Sequence, residues 1–80
     1  MTDVDGRIAA LLTENLGLPA DRISDDVAMK DVGSWDSLKH MELIVAIETA
    51  FDLQLSFDEI VTMTSVGEIK KVVREKCAVG

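Results

Sequence analysis

Asp36-Ser37-Leu38-Lys39-His40-Met41-Glu42-Leu43-Ile44-Val45-Ala46-Ile47-Glu48-Thr49-Ala50-Phe51 is the stretch that decides the fold. From Ser37 onward, Leu38, Met41, Leu43, Ile44, Val45, Ile47 and Phe51 make a strongly apolar helix, and Asp36 stands where a carboxylate can cap the free N–H groups of its first turn. Leu43, Ile47 and Phe51 repeat at i, i+4 and i+8 and form the expected core stripe. Glu42, Val45 and Glu48 turn toward the flank and the exterior.

Upstream, Ile8, Leu11, Leu12 and Leu16 follow a three-and-four spacing that predicts a first helix from about Thr2 or Asp3 to Leu16, stopped by Gly17 and Pro19. Between Gly17 and Asp36, Ile23, Val27, Met29 and Val32 fall at irregular spacing, as in a long loop pinned by a few apolar anchors. Downstream, Ser56 is placed to cap a short turn from Phe57 to Val61. Ser65 with Glu68 forms a capping box ahead of Val66, Ile69, Val72 and Val73. No strict alternation persists, so the chain is expected to be all-α: a four-helix bundle, residues 1–80 as one domain, with a long loop after the first helix and a short third helix.

Eighty residues leave little surplus stability for a deep catalytic cleft. Eight Lys and Arg against fifteen Asp and Glu give a formal charge of −7, the wrong sign for neutralising phosphates, so nucleic acid and anionic membrane surfaces are excluded as partners and basic protein patches are favoured. Almost half of the residues, 48%, are apolar and patterned, which separates the chain from disordered acidic segments. A lone cysteine, Cys77, cannot form an internal disulfide and is assigned no role. With one Cys and one His there is no metal-ligand spacing. The start of the chain lacks a signal-peptide pattern, and these features together predict a cytoplasmic, free-standing monomer.

The chemistry points to Asp36-Ser37-Leu38. A hydroxyl at the first turn of a helix sits among free N–H groups at the positive end of the dipole, where an attached phosphodiester would be favoured. The same residues also suit plain capping, and composition and spacing do not separate the two. Ser37 and His40 share a helix face, yet no nucleophile elbow or third orienting group accompanies them, so a hydrolase is not expected and His40 reads as a surface residue for partner contacts. Asp31 and Glu42 match the first and twelfth places of a calcium loop. That frame fails, because Gly33 and Trp35 replace two ligands and Asp36 occupies the position that needs glycine.

Gly33-Ser34-Trp35-Asp36-Ser37-Leu38-Lys39-His40-Met41-Glu42-Leu43 resembles the attachment motif of acyl carrier proteins. Ala46-Ile47-Glu48, Phe51 and Thr64-Ser65-Val66-Gly67-Glu68-Ile69 extend the likeness along nearly the whole chain. The resemblance implies a four-helix bundle whose Ser37 bears covalent 4′-phosphopantetheine, installed by a phosphopantetheinyl transferase for which the chain is substrate and not catalyst. It implies that Asp36 helps position the serine and that Leu38, Lys39, Met41, Glu42, Val45 and Glu48 join it in a docking face. The implied partners are that transferase, an acyl- or aminoacyl-loading enzyme and downstream synthases or transferases of fatty acid, polyketide or peptide-type biosynthesis.

The chain departs from the family's common form in three places. Ser34 and Trp35 both stand between Gly33 and Asp36, Lys39 replaces a residue that is often acidic, and Thr49 interrupts the acidic run after Glu48. An aromatic before Asp-Ser is similar to discrete carriers of specialised pathways, while Trp35 equally suits a loop anchor covering the core. A hydrophobic cargo is expected to shelter between helices two and three, with Met63 and Ile60 as yielding packing around a loose third helix. The alternative to a carrier is a small acidic interaction module without a covalent cofactor.

Overall fold

The computed structural model describes residues 4–79. Four helices follow in order: α1 (Val4–Leu16), α2 (Ser37–Phe51), α3 (Phe57–Thr62) and α4 (Val66–Val79). These are the four that the caps and periodicity predict. The expected beginning of α1 near Thr2 or Asp3 lies outside the described residues.

Each helix ends for a local reason. Gly17, at φ +72°, closes α1 with its N–H on Thr13 O. Asp52 takes the same left-handed conformation after α2, and Leu53 N–H reaches back to Glu48 O. Aspartate tolerates that conformation better than most residues with a side chain. Ser56 and Glu59 form a reciprocal capping box at the start of α3, with Ser56 N–H on Glu59 Oε1 at 2.8 Å.

The core joins Val4, Ile8, Leu12 and Leu16 of α1 to Leu43, Ile44 and Ile47 of α2 and to Val66, Ile69, Val72 and Val73 of α4. Phe51, expected in the stripe, is only partly buried at its edge, while Ile44 is 1% exposed and belongs to the interior. The stripe is therefore wider than an i, i+4 row, because α2 is packed on more than one side.

The long loop is more ordered than its irregular spacing implies. Short 3₁₀ turns form at Ala20–Arg22 and Met29–Asp31, and Ile23, Val27, Met29 and Val32 pack against the core as anchors. Its backbone is stapled to the α3–α4 junction: Met29 N–H meets Thr64 O at 2.8 Å, Val66 N–H meets Val27 O at 2.9 Å, and Gly67 N–H meets Asp25 O at 2.9 Å. Ser65 Oγ accepts Glu68 N–H at 3.2 Å. The first turn of α4 thus has its N–H groups satisfied by loop carbonyls and one hydroxyl. Lys70 pairs with Asp25 at 2.8 Å and strengthens the same seam.

Candidate functional site

The peptide Ser34-Trp35-Asp36-Ser37 carries the chain from the loop into α2, and its side chains alternate between structural and exposed duties. Ser34 Oγ donates to Leu16 O at 2.7 Å, tying the loop to the last turn of α1. Trp35 is 2% exposed and fills the core. Asp36 turns outward as the N-cap: its Oδ1 accepts Lys39 N–H at 2.9 Å and its carbonyl accepts His40 N–H at 2.8 Å.

Ser37 follows as the first helical residue and is exposed. Its hydroxyl engages no partner among the described residues, and neither do the N–H groups of Ser37 and Leu38. These two N–H groups are the free donors of the turn. An oxygen bonded to phosphorus at Ser37 would place anionic oxygens beside them and beside the positive end of a helix of 15 residues. The residues present therefore fit a phosphodiester-linked group.

His40 is not a surface residue. It is 7% exposed. Trp35 Nε1–H donates to His40 Nδ1 at 3.0 Å, and His40 Nε2 lies 2.9 Å from Ile60 O. Because Nδ1 accepts, Nε2 carries the hydrogen and donates to the carbonyl of α3. The expectation of a partner-contacting histidine fails because the loop and α3 close over this position, and Trp35 and Ile60 bond both ring nitrogens. Both ring nitrogens are committed, so His40 cannot serve as a base for the Ser37 hydroxyl. The same geometry bears out the reading of Trp35 as a loop anchor over the core.

Leu38, Met41 and Val45 are exposed by 68%, 48% and 57%, and they recur at i, i+3 and i+7 along one face of α2. Glu42 stands beside them and pairs with Lys39 at 3.4 Å. Glu48 is half-buried, and its Oε2 accepts Leu55 N–H at 3.0 Å, so that carboxylate also holds the α2–α3 connection. On α3, Phe57 and Val61 are exposed as well.

An open groove of about 610 Å³ is lined by Ala28, Met29, Lys30, Trp35 and Thr64. Cys77 is exposed and unbridged. Among the described residues no cluster of three His, Cys, Asp or Glu side chains is placed to hold a metal ion, and no helix is long and apolar enough to cross a membrane.

The sequence reading missed the Trp35–His40–Ile60 connection and the Ser34 tie. The pairing of an aromatic with the one histidine five residues on was the available signal, though nothing in that spacing says that both point inward.

Two electrostatic seams frame α3 and α4. The hydrogen bond and charge of Lys70 hold the Asp25 carboxyl below its ordinary value. The Ser56 N–H, and then the hydrogen bond from Lys76, do the same for Glu59. Lys76 Nζ lies 3.0 Å from Glu59 Oε1, linking α4 to α3.

Four helices that hold one unengaged serine, Ser37, at the start of α2 are the arrangement of a carrier domain, and the comparisons with known proteins place the chain in such a family. The family described as the phosphopantetheine attachment site matches residues 6–73, and the chain belongs to it. The non-reducing polyketide synthase pigA of Monascus ruber is 36% identical over 73 residues, which are 91% of this chain and 3% of that protein. The chain thus spans a small fraction of that relative's length. The solution structure of the holo acyl carrier protein from Geobacter metallireducens covers 98% of this chain, and 90% of its own length is covered, with a TM-score of 0.85 at 22% identity. The fold is that of an acyl carrier protein, and the cofactor of the family is covalent 4′-phosphopantetheine.

Proposed function

We propose that Ser37 is the residue that bears the 4′-phosphopantetheine arm, and that the chain presents acyl intermediates to the enzymes of a polyketide-type synthase. The observation that carries this is the bare Ser37 hydroxyl at the start of α2, flanked in sequence by inward Trp35 and the capping Asp36. When bound, the arm supplies a terminal thiol that holds acyl groups as thioesters. The chain's own part is presentation. Asp36 fixes the first turn of α2, so the hydroxyl sits at a set place and direction for an incoming transferase. The proton on Ser37 must leave to a base outside this chain, since His40 is fully engaged.

Leu38, Met41 and Val45 supply exposed apolar contacts, with Asp36, Lys39, Glu42 and Glu48 as polar and charged neighbours. That mixture suits brief association: apolar anchors give affinity while rim charges steer the encounter. The partners are a phosphopantetheinyl transferase, an acyl-loading enzyme and a downstream synthase, and the similarity to a polyketide synthase segment favours polyketide over peptide or fatty acid intermediates. We place the chain in a reducing cytoplasm, which suits a sequence whose one cysteine has no internal partner, and read it as acting as a monomer.

Intact mass after incubation with coenzyme A, Mg²⁺ and a broad-specificity transferase tests the assignment. The parent is expected to gain one phosphopantetheine and the Ser37→Ala variant none. A parent that stays unmodified while correctly folded would refute it and leave a cofactor-free interaction module. Lys39→Glu is expected to alter turnover by cognate synthase enzymes more than it alters stability.

A further inference from the structure

Resting on the assignment of the arm to Ser37, we infer that Trp35 and His40 close the seam between α2 and α3 to alkyl chains, so that cargo is carried outside the bundle. They act as specificity-determining residues that favour small or polar acyl groups over long aliphatic ones. This replaces the expectation that a hydrophobic chain shelters between helices two and three.

The seam is filled where a chain from Ser37 would have to enter. Trp35 lies two residues before Ser37 and is 2% exposed, His40 lies three after it at 7%, and Ile44 and Met63 behind them are 1% and 0% exposed. It is also bonded shut. The Trp35 Nε1–His40 Nδ1 and His40 Nε2–Ile60 O contacts, at 3.0 and 2.9 Å, span loop, α2 and α3 in one line. An alkyl chain has no donor or acceptor to offer. To pass, it would have to part these groups and leave an indole N–H, an imidazole nitrogen or a carbonyl unpaired in the interior.

α3 is tied to its neighbours by the His40 Nε2–Ile60 O contact, by the Glu59–Lys76 pair at 3.0 Å and by the buried Met63 side chain just past its end. The third helix is short, yet it is tied. Met63, expected to yield, is fully enclosed. A polar or compact acyl group loses nothing by staying in water, whereas a long alkyl chain denied the interior keeps its apolar surface exposed.

The test uses the full chain loaded at Ser37 with acetyl- or octanoyl-phosphopantetheine by a transferase acting on the corresponding acyl-coenzyme A. Intact mass first reports whether loading occurs; absence of any adduct would overturn the Ser37 assignment and this inference with it. With loading established, thioester cleavage by hydroxylamine is expected to run at the same rate for both cargoes. Amide chemical-shift changes on octanoylation should stay near Ser37 and leave Ile44, Ile47 and Met63 unmoved. Slower cleavage of the octanoyl form with shifts at Met63 and Ile44 would overturn the inference while leaving the attachment site intact.

A His40→Ala variant, whose bonds across the seam are gone, is expected to protect the octanoyl thioester by about an order of magnitude, because the exposed fraction sets the rate. Unchanged cleavage in a folded variant would overturn the role given to His40. Should that variant fail to fold, the comparison of the two cargoes on the parent chain still decides.

Discussion

Replacing Trp35 by Phe keeps an aromatic ring over the core and removes the single donor that His40 Nδ1 uses. His40 is 7% exposed, so water cannot make up the loss. If the imidazole keeps its tautomer, Nδ1 is left without a donor; if it switches, Nδ1–H has no acceptor and Ile60 O loses its partner. Either way the interior holds an unpaired polar group, which costs about 1–3 kcal/mol. For a domain of this size each kcal/mol moves the melting temperature by about 4–8 °C, so Trp35→Phe should lower it by about 5–20 °C. The lost part of the indole adds to this by leaving a small void.

Trp35 is the one tryptophan of the chain, so unfolding is best followed by far-UV circular dichroism in urea, where the midpoint should fall with the slope unchanged. His40→Leu and the double variant complete a cycle. The two single losses should exceed what their sum allows in the double variant by about 1 kcal/mol, since each alone strands the other's polar atom. A Trp35→Phe protein within about 0.5 kcal/mol of the parent, or strictly additive losses, would refute the bonded line as a stabilising element.

Two further outcomes follow from the seams around α4. Asp25 and Glu59 have folded-state values below their ordinary 3.8 and 4.5, so the stability they contribute is whole above those values and is lost as the pH falls through the lowered ones. Acid titration of the melting temperature should show this loss below about pH 4.5, and Lys70→Met with Lys76→Met should flatten that limb; a double variant with the parent's acid profile would exclude these pairs as its source. Gly67→Ala would place a Cβ 3.0 Å from Asp25 O, against backbone that is itself bonded to Gly67 N–H. A loss of about 1–3 kcal/mol in urea unfolding is expected, and a stabilised variant would show that the loop can move off α4.

Helix placement was readable because its signals are local. Asp36, Ser56 and Ser65 each cap a turn within three residues of themselves, and Ile8, Leu12 and Leu16 repeat within one helix, so a linear scan meets cause and consequence together. The candidate hydroxyl was legible for the same reason: Ser37 follows a cap and opens a helix, and both facts lie in adjacent letters. The acidic surplus required no structure at all.

Tertiary structure alone decided what lies inward. His40 and Lys39 are neighbours in the chain, yet one is bonded across the seam to Ile60 and the other pairs with Glu42 at the surface. The loop's order likewise comes from Thr64, Val66 and Gly67, more than thirty residues away, through backbone groups that every residue type shares. Main-chain N–H and C=O groups leave no mark on residue identity, so their pairing over long separations has no pattern to read. A polar side chain is buried only when distant partners happen to meet it, and that is settled by how the helices pack.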